Sequence, residues 1–409
     1  MKRLVVCCDG TWNKPDNENV TNVEKIARTV RSDPSLTGGV YQLVYYISGV
    51  GTGSYEADRL LGGAFGFGLF HNVIACYRFL AQNYEPGDEI FIVGFSRGAY
   101  TARSVAGMLA TVGLLTKVAL VEERLPWAVH LYQGTKMPEG AFGESVDEFK
   151  HDHCHNAKIT FLGVFDTVGA LGVPGFRRST PRFHSVQLSD QVLCARQALA
   201  IDETRLKFSP TLWEAPGKTA DAATEDARVK QVWFEGAHSD IGGGYAQTGL
   251  SDTSLLWIAR EAHAAGLVFD SELLGKYVNS GSDPIRHNPL NLMYKLDNAA
   301  LRIRQHLPGH DPASEFSHGL RLLTNQRALS VRVASSAVSH FQEGGYGPAN
   351  LAAFASRTNG FEGIIEPVDR LPEAGLDLTD LGNPLVPATV PDVSGSPGPG
   401  GQPHPPALL

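Results

Sequence analysis

The sequence predicts an α/β protein: a mostly parallel β-sheet flanked by helices, with helical insertions between the later strands. Three observations predict it. Residues 1–112 alternate strand-like apolar runs with helix-period segments, the order that crossover-connected parallel strands require. The strand runs are nearly continuous in apolar residues, EIFIVGF at 89–95 above all, as expected of strands covered on both faces. The breaks between elements fall on turn residues, at Asp9-Gly10 and Pro86-Gly87-Asp88.

The elements follow in order. RLVVCC (3–8) is β-rich and stops at Asp9-Gly10. Residues 22–32 set Val23, Ile26, Ala27 and Val30 at helical spacing. YQLVYYI (41–47) reads as a second buried strand, and a glycine-rich stretch follows from Gly49 to Gly68. From His71 to Tyr84, Val73, Ile74, Tyr77, Leu80 and Ala81 share one helical face. The third strand (89–95) leads straight into a small-residue-rich helix, RGAYTARSVAGMLATV (97–112). KITFLGVFD (158–166) and RVKQVWFEG (228–236) read as a fourth and a fifth strand. Residues 250–266 form a helix with Ser251 or Asp252 near its N-cap and Gly266 at its end. Three regions stand outside this pattern: a partly helical, polar insertion near 113–157, a second insertion near 170–227 that opens on a helix start, and a partly helical C-terminal extension at 267–382. Residues 1–382 are thus expected to form one domain, and the Pro/Gly-rich 383–409 a disordered tail.

Composition narrows the function. With 43% hydrophobic and 19% charged residues the chain is ordinary globular material, long enough at 409 residues to bury a large core. A net charge of −8 without a basic stripe excludes the electrostatic footprint of a nucleic-acid binder. The apolar run of the N-terminus ends at Asp9, too early for a signal peptide, and no stretch approaches the roughly 18 apolar residues of a spanning helix. The chain is expected to be cytoplasmic, with any export by a signal-independent route and any membrane contact peripheral. Its five cysteines are odd in number and form no CxxC, and Cys7 and Cys8, adjacent in a strand, face opposite ways. That pattern predicts reduced thiols.

The chemistry starts at Gly94-Phe95-Ser96-Arg97-Gly98, a G-x-S-x-G elbow with a buried strand before it and a helix after it. Serine at such a turn is held in strain, and Gly94 and Gly98 must be small because backbone passes close by. The elbow turns the expected fold into an α/β-hydrolase-type one. A serine nucleophile needs a base and the base an orienting acid, in the chain order Ser, acid, His at the carboxyl edge of the sheet. Asp166, at the end of KITFLGVF, is the candidate acid, with Asp202 in AIDETR as the alternative. His238, in the glycine-rich loop after the fifth strand, is the candidate base. The oxyanion donors are expected to be the N–H of Arg97, after the nucleophile, and that of Gly10 or Thr11, in the loop after the first strand. Asp9 and Asp240 complete the supporting set, Asp9 either holding that loop or orienting Ser239 or Asp240. His151, His153, Cys154 and His155 invite a metal reading, but HDHCH lacks a second ligand group at zinc spacing and sits in a polar insertion. No metal and no cofactor are expected.

CCDGTWN (7–13), GVGTG (49–53), PGDEIFIVGFSRGAYTARSVAG (86–107), GVFDTVGALG (163–172) and WFEGAHSDIGGGY (233–245) occur together and in order. With them the chain resembles the α/β-hydrolase family DUF2235, which includes the catalytic domains of type VI secretion phospholipase effectors of the Tle1 class. The resemblance covers residues 1–265. It implies a Ser-Asp-His triad on Ser96, Asp166 and His238, and esterase or phospholipase activity. On the C-terminal side the chain departs from it, with no large apolar membrane-docking module in the sequence. The expected reaction is hydrolysis of a carboxylic ester, a lipid or phospholipid acyl ester included. The alternatives are a catalytically retired binding or scaffold protein on the same fold, and an acyltransferase. The stretch from Leu60 to Phe70 is expected either to line an acyl pocket or form a lid, or to pack on the sheet as a connector.

Overall fold

The computed structural model describes residues 1–10, 18–49, 64–134, 145–168, 188–214, 227–278, 284–290, 295, 298, 316–317, 320–324, 328–368 and 378–384. The first half of the chain alternates as its pattern requires: β1 (Lys2–Cys8), α1 (Asn22–Thr29), β2 (Tyr41–Ile47), α2 (Ala64–Asn83), β3 (Glu89–Phe95) and α3 (Arg97–Val112). A small outlying group follows, β4 (Leu114–Leu115), α4 (Lys117–Val121), α5 (Leu125–Gln133), α6 (Val146–His153) and β5 (Cys154–His155), closed by antiparallel pairing of β4 with β5. The main sheet resumes with β6 (Phe161–Phe165), β7 (Ala195–Ala200) and β8 (Val229–Phe234), then α7 (His238–Gly242), α8 (Gly249–Ala264) and α9 (Ser271–Tyr277). The last part holds a small hairpin, β9 (Phe316–Ser317) and β10 (Leu320–Arg321), followed by β11 (Val331–Ala334), α10 (Ser335–Gln342), α11 (Ala349–Arg357) and β12 (Ile365–Glu366).

Among the described residues the main sheet has eight strands in the order β12-β11-β8-β7-β6-β3-β1-β2. Every neighbouring pair is parallel. The chain runs outward from β1 to β2 and then returns past β1 to β3, so the order reverses between β1 and β3. In parallel sheets that is where the crevice for a ligand opens, at the carboxyl ends of the strands. Residues 9–10 and 96 stand at those ends.

Alternation along β1 shows why its run from Leu4 to Cys8 is apolar on both faces. Leu4, Val6 and Cys8 enter the core beneath α2 and α3, while Val5 and Cys7 enter the opposite core beneath α1 and α8. The two neighbouring cysteines therefore lie on opposite faces, and all five cysteines are free thiols. A third, smaller core joins Trp233 and Val333 to Ala337, Leu351 and Phe354 of α10 and α11. No helix among the described residues is long and apolar enough to cross a membrane.

The structure differs from the sequence reading in three places. ARQALA, read within an insertion, is β7, a fully buried central strand. It carries none of the β-branched residues that signal a strand, and its state is set by β6 and β8 on either side. VRVA and the two-residue β12 extend the sheet from within the C-terminal extension, on segments too short for a periodicity to register. The helix read from His71 starts at Ala64, within the stretch Leu60 to Phe70 expected to line a pocket, form a lid or pack as a connector; there Leu69 is buried and Phe70 packs against the core, and residues 60–63 lie outside the described residues. At the end of the chain Leu381 is fully buried, and residues 385–409, the bulk of the expected tail, lie outside the described residues.

Candidate active site

Ser96 sits between the last residue of β3 and the first of α3 with φ 57° and ψ −122°. A non-glycine residue in this region stores on the order of 1–3 kcal/mol of strain and persists only where the surroundings enforce it. Here the Ser96 N–H donates to the Phe165 carbonyl across the sheet (3.0 Å), and its own carbonyl accepts from Tyr100 N–H in α3 (3.2 Å). The two glycines of the elbow are required by close approach. A Cβ on Gly94 would lie 2.6 Å from the Gly98 carbonyl oxygen, and one on Gly98 would lie 2.1 Å from the Cys8 carbonyl oxygen. The start of α3 is thus pressed against the carboxyl end of β1, which a side chain at either position would prevent.

His238 opens α7 just beyond β8. Its Nε2 lies 2.7 Å from Ser96 Oγ, and its Nδ1 lies 2.6 Å from Asp166 Oδ2. An ionised carboxylate only accepts, so Nδ1–H donates to Asp166 and Nε2 is left to accept from the serine hydroxyl. Asp166, immediately after β6, has a positive φ of 39° and is fully buried. The imidazole is held between the rings of Phe95 (centroids 4.7 Å apart) and Phe208 (4.9 Å, edge-on). Gly242 allows this, because a Cβ there would stand 2.0 Å from the Phe95 ring.

The acid is more heavily tied than the sequence suggests. Asp166 Oδ1 accepts from Ala200 N–H (3.0 Å) and from Arg321 Nη1 (2.7 Å), while Oδ2 also accepts from Arg321 Nη2 (3.0 Å). Burial pushes the Asp166 pKa up, but the Arg321 guanidinium and the His238 hydrogen bond outweigh it and hold the carboxyl well below the usual carboxylate range. For His238 burial is the larger effect. It pushes the imidazole below its ordinary value against the opposing pull of Asp166, which favours the neutral ring. Glu203 is buried beside them; it accepts from His238 N–H (3.3 Å) and is itself bound by Arg205 through both Nε (2.9 Å) and Nη2 (2.7 Å).

Asp202, the alternative acid, faces elsewhere. Its carboxylate accepts from Gly236 N–H (2.7 Å) and from the Tyr346 hydroxyl (2.9 Å), and so fixes the turn that leads into His238. Asp9 accepts from Gly10 N–H (2.6 Å), the Thr21 hydroxyl (2.7 Å) and the Tyr46 hydroxyl (2.7 Å), which holds the loop after β1 in shape. This engages the Gly10 N–H that the sequence offered as an oxyanion donor; Thr11 lies outside the described residues. Arg97 is the first residue of α3 and directly follows Ser96, at the positive end of the helix dipole. Asp240 accepts from Ala237 N–H (2.9 Å) and meets His287 Nδ1 at 2.6 Å, pinning the start of α7. In the HDHCH segment the side chains are separately engaged: His151 with Asp152 (2.7 Å), His153 against the Phe149 ring, Cys154 with the Val112 carbonyl and His155 against Tyr84. Among the described residues no three His, Cys, Asp or Glu side chains gather as a metal site would need.

Arg321, Glu203 and His287 escaped the sequence reading. Arg321 carries the one signal that could have found it, a lone cation inside the apolar Leu320 to Leu323 run.

Several known proteins are similar to this chain. Residues 2–261 match a family model described as the T6SS phospholipase effector Tle1-like catalytic domain. An uncharacterised protein of Saccharomyces cerevisiae is 31% identical over 225 residues, 51% of this chain and 32% of that one. The chain therefore spans about a third of the length of that relative. Among solved structures, an uncharacterised protein from Pseudomonas aeruginosa aligns with a TM-score of 0.37 and 16% identity, over 75% of this chain and 51% of the other. The Tle1 effector, solved bound to the VgrG spike of the Type 6 secretion system, aligns with a TM-score of 0.31 and 19% identity, over 61% of this chain and 52% of the other.

Proposed function

We propose that this chain, which belongs to the family of Tle1-like catalytic domains of phospholipase effectors, is a serine esterase that hydrolyses acyl esters of lipids. Family membership supports a lipid-ester hydrolase. The observation that carries the finer reading is the continuous relay from Ser96 Oγ to His238 Nε2 (2.7 Å) and from His238 Nδ1 to Asp166 (2.6 Å).

The steps follow from that relay. Ser96 Oγ attacks the ester carbonyl carbon as its proton passes to His238 Nε2. Asp166 holds the imidazole in the tautomer that can accept this proton and stabilises the imidazolium that forms. The carbonyl oxygen becomes an oxyanion, for which the Arg97 N–H at the start of α3 is the donor, with a second from the loop after β1 at Thr11. Collapse expels the alcohol, which takes its proton from His238. Water, activated by the same imidazole, then attacks the acyl-Ser96 ester and releases the carboxylic acid. The sequence needs no cofactor, and contact with a membrane substrate is peripheral.

The experiment is product analysis with p-nitrophenyl esters of graded chain length and phospholipid vesicles, with and without an added alcohol. The reading expects free fatty acid in stoichiometric amount. Failure to release acid from any ester would count for the retired-scaffold alternative, and acyl transfer to the alcohol in preference to water would count for an acyltransferase.

A further inference from the structure

We infer that Arg321 is a positioning residue of the reaction proposed above: its guanidinium holds both oxygens of Asp166 and so sets the geometry and the pH range in which His238 works as a base. The inference rests on the serine-esterase reading. Both side chains are fully buried. The two Nη atoms match the two carboxylate oxygens at 2.7 and 3.0 Å, the parallel arrangement in which arginine fixes direction as well as charge. The plane of the guanidinium is fixed in turn, since Nη1 also donates to the Ala200 carbonyl (2.9 Å) and Nη2 to the Phe208 carbonyl (2.5 Å). Phe208 is the residue whose ring stands edge-on to His238. Arg321 therefore holds the acid directly and, through one carbonyl, the residue that walls the base.

A buried ion pair is weak evidence for stability, because an apolar pair of the same volume serves as well. The Ala200 N–H already satisfies one oxygen of Asp166. What the cation adds is electrostatic. Among the described residues, the charged and titratable groups facing the His238–Asp166 pair are Ser96 from the β3–α3 turn, Glu203 and Arg205 from the segment after β7, and Arg321 from β10. Glu203 and Arg205 pair with each other, which leaves Arg321 as the charge that balances Asp166. With that balance the pair resists taking up a proton, whichever of the two would hold it. The direction in which Arg321 acts shows at Asp166, whose carboxyl it helps to hold well below the usual carboxylate range. Arg321 lies beyond the residues 2–261 that match the family model, on a hairpin held by Asn350 of α11. The C-terminal part of the chain thereby contributes to the working of the site.

The test uses the full chain carrying Arg321→Met or Arg321→Lys. It measures fluorophosphonate labelling of Ser96 against pH, kcat and KM on a p-nitrophenyl ester, and the melting temperature. Arg321→Met should move the acid limb of labelling upward by about one pH unit or more and lower kcat at least about tenfold with KM little changed. Arg321→Lys should retain the limb while losing part of kcat, because one ammonium keeps the charge but not the two-point hold. A folded Arg321→Met with an unmoved limb and normal kcat overturns the inference. Should that variant not fold, Arg321→Lys decides: a reduced kcat per folded molecule supports the assignment, and wild-type kcat overturns it. Absence of labelling in the wild-type chain would instead strike the serine-esterase reading itself.

Discussion

Replacing Asp166 by asparagine separates the acid of the relay from the nearby carboxylates. The carboxylate takes four hydrogen bonds, from His238 Nδ1, Ala200 N and two Arg321 nitrogens. The isosteric amide has one oxygen and one NH2, and every group facing it is a donor. If the NH2 faces His238, the imidazole turns to the tautomer with its proton on Nε2, and Ser96 has no base. If it faces Ala200 and Arg321 Nη1 instead, it meets two donors, and in the first orientation it still meets Arg321 Nη2, so donor opposes donor either way. The first arrangement costs up to about 10⁴ in turnover, equivalent to about 5.4 kcal/mol in the barrier. Either leaves the buried Arg321 without its counter-charge, which destabilises the fold by about 3–5 kcal/mol. Asp202→Asn is the control, because that carboxylate serves Gly236 and Tyr346 and its loss costs about 1 kcal/mol with turnover within a few-fold of wild type. The assay is kcat/KM on a p-nitrophenyl ester together with thermal melting. Near-normal turnover in Asp166→Asn with severe loss in Asp202→Asn would refute the reasoning.

Other expectations follow from the same contacts. Burial holds His238 below its ordinary value; since the neutral form is the base, kcat/KM should hold as pH falls past about 6.5 and decline only beneath it, and a pH–rate profile with its midpoint above that value would contradict this. Gly98→Ala should abolish soluble, folded protein, because its Cβ would meet backbone oxygen at 2.1 Å, and the soluble yield of the variant beside wild type checks it. Truncation after Pro384 should leave melting and esterase activity unchanged. Truncation after 377 removes Leu378 and the fully buried Leu381 and should cost about 2–5 kcal/mol or more, read by urea unfolding.

The elements legible in the sequence were those with long apolar runs and sharp breaks. β1, β2, β3 and α3 lie within a residue of where periodicity put them; β1 and β3 are covered on both faces and admit few polar residues, whereas β2, read as buried, is an edge strand of the sheet with Tyr41 and Leu43 exposed. β7 was illegible for the opposite reason: Ala195, Arg196 and Gln197 read as polar or small, and only the strands on either side make them a strand. Arg196 is tolerated there because Glu261 of α8 meets it. At the site, Ser96 and the expected positions of Asp166 and His238 announce themselves by local rules: an elbow glycine, a strand end, a loop after a late strand. Arg321 does not, since its partner is 155 residues away, and the lone cation in HGLRLL marks a buried charge without naming the carboxylate it meets. The engagement of Gly10 N–H by Asp9 was equally hidden, because it depends on how an Asp-Gly turn closes in space.

The most direct measurement is covalent capture of the nucleophile. The full chain is treated with a fluorophosphonate, digested, and the adduct located by mass spectrometry, in parallel with Ser96→Ala. The account predicts one stoichiometric adduct on Ser96, and in Ser96→Ala a folded protein with no adduct and turnover reduced by several orders of magnitude, on the order of 10⁶. An adduct on another residue, or ester turnover retained in folded Ser96→Ala, would contradict it.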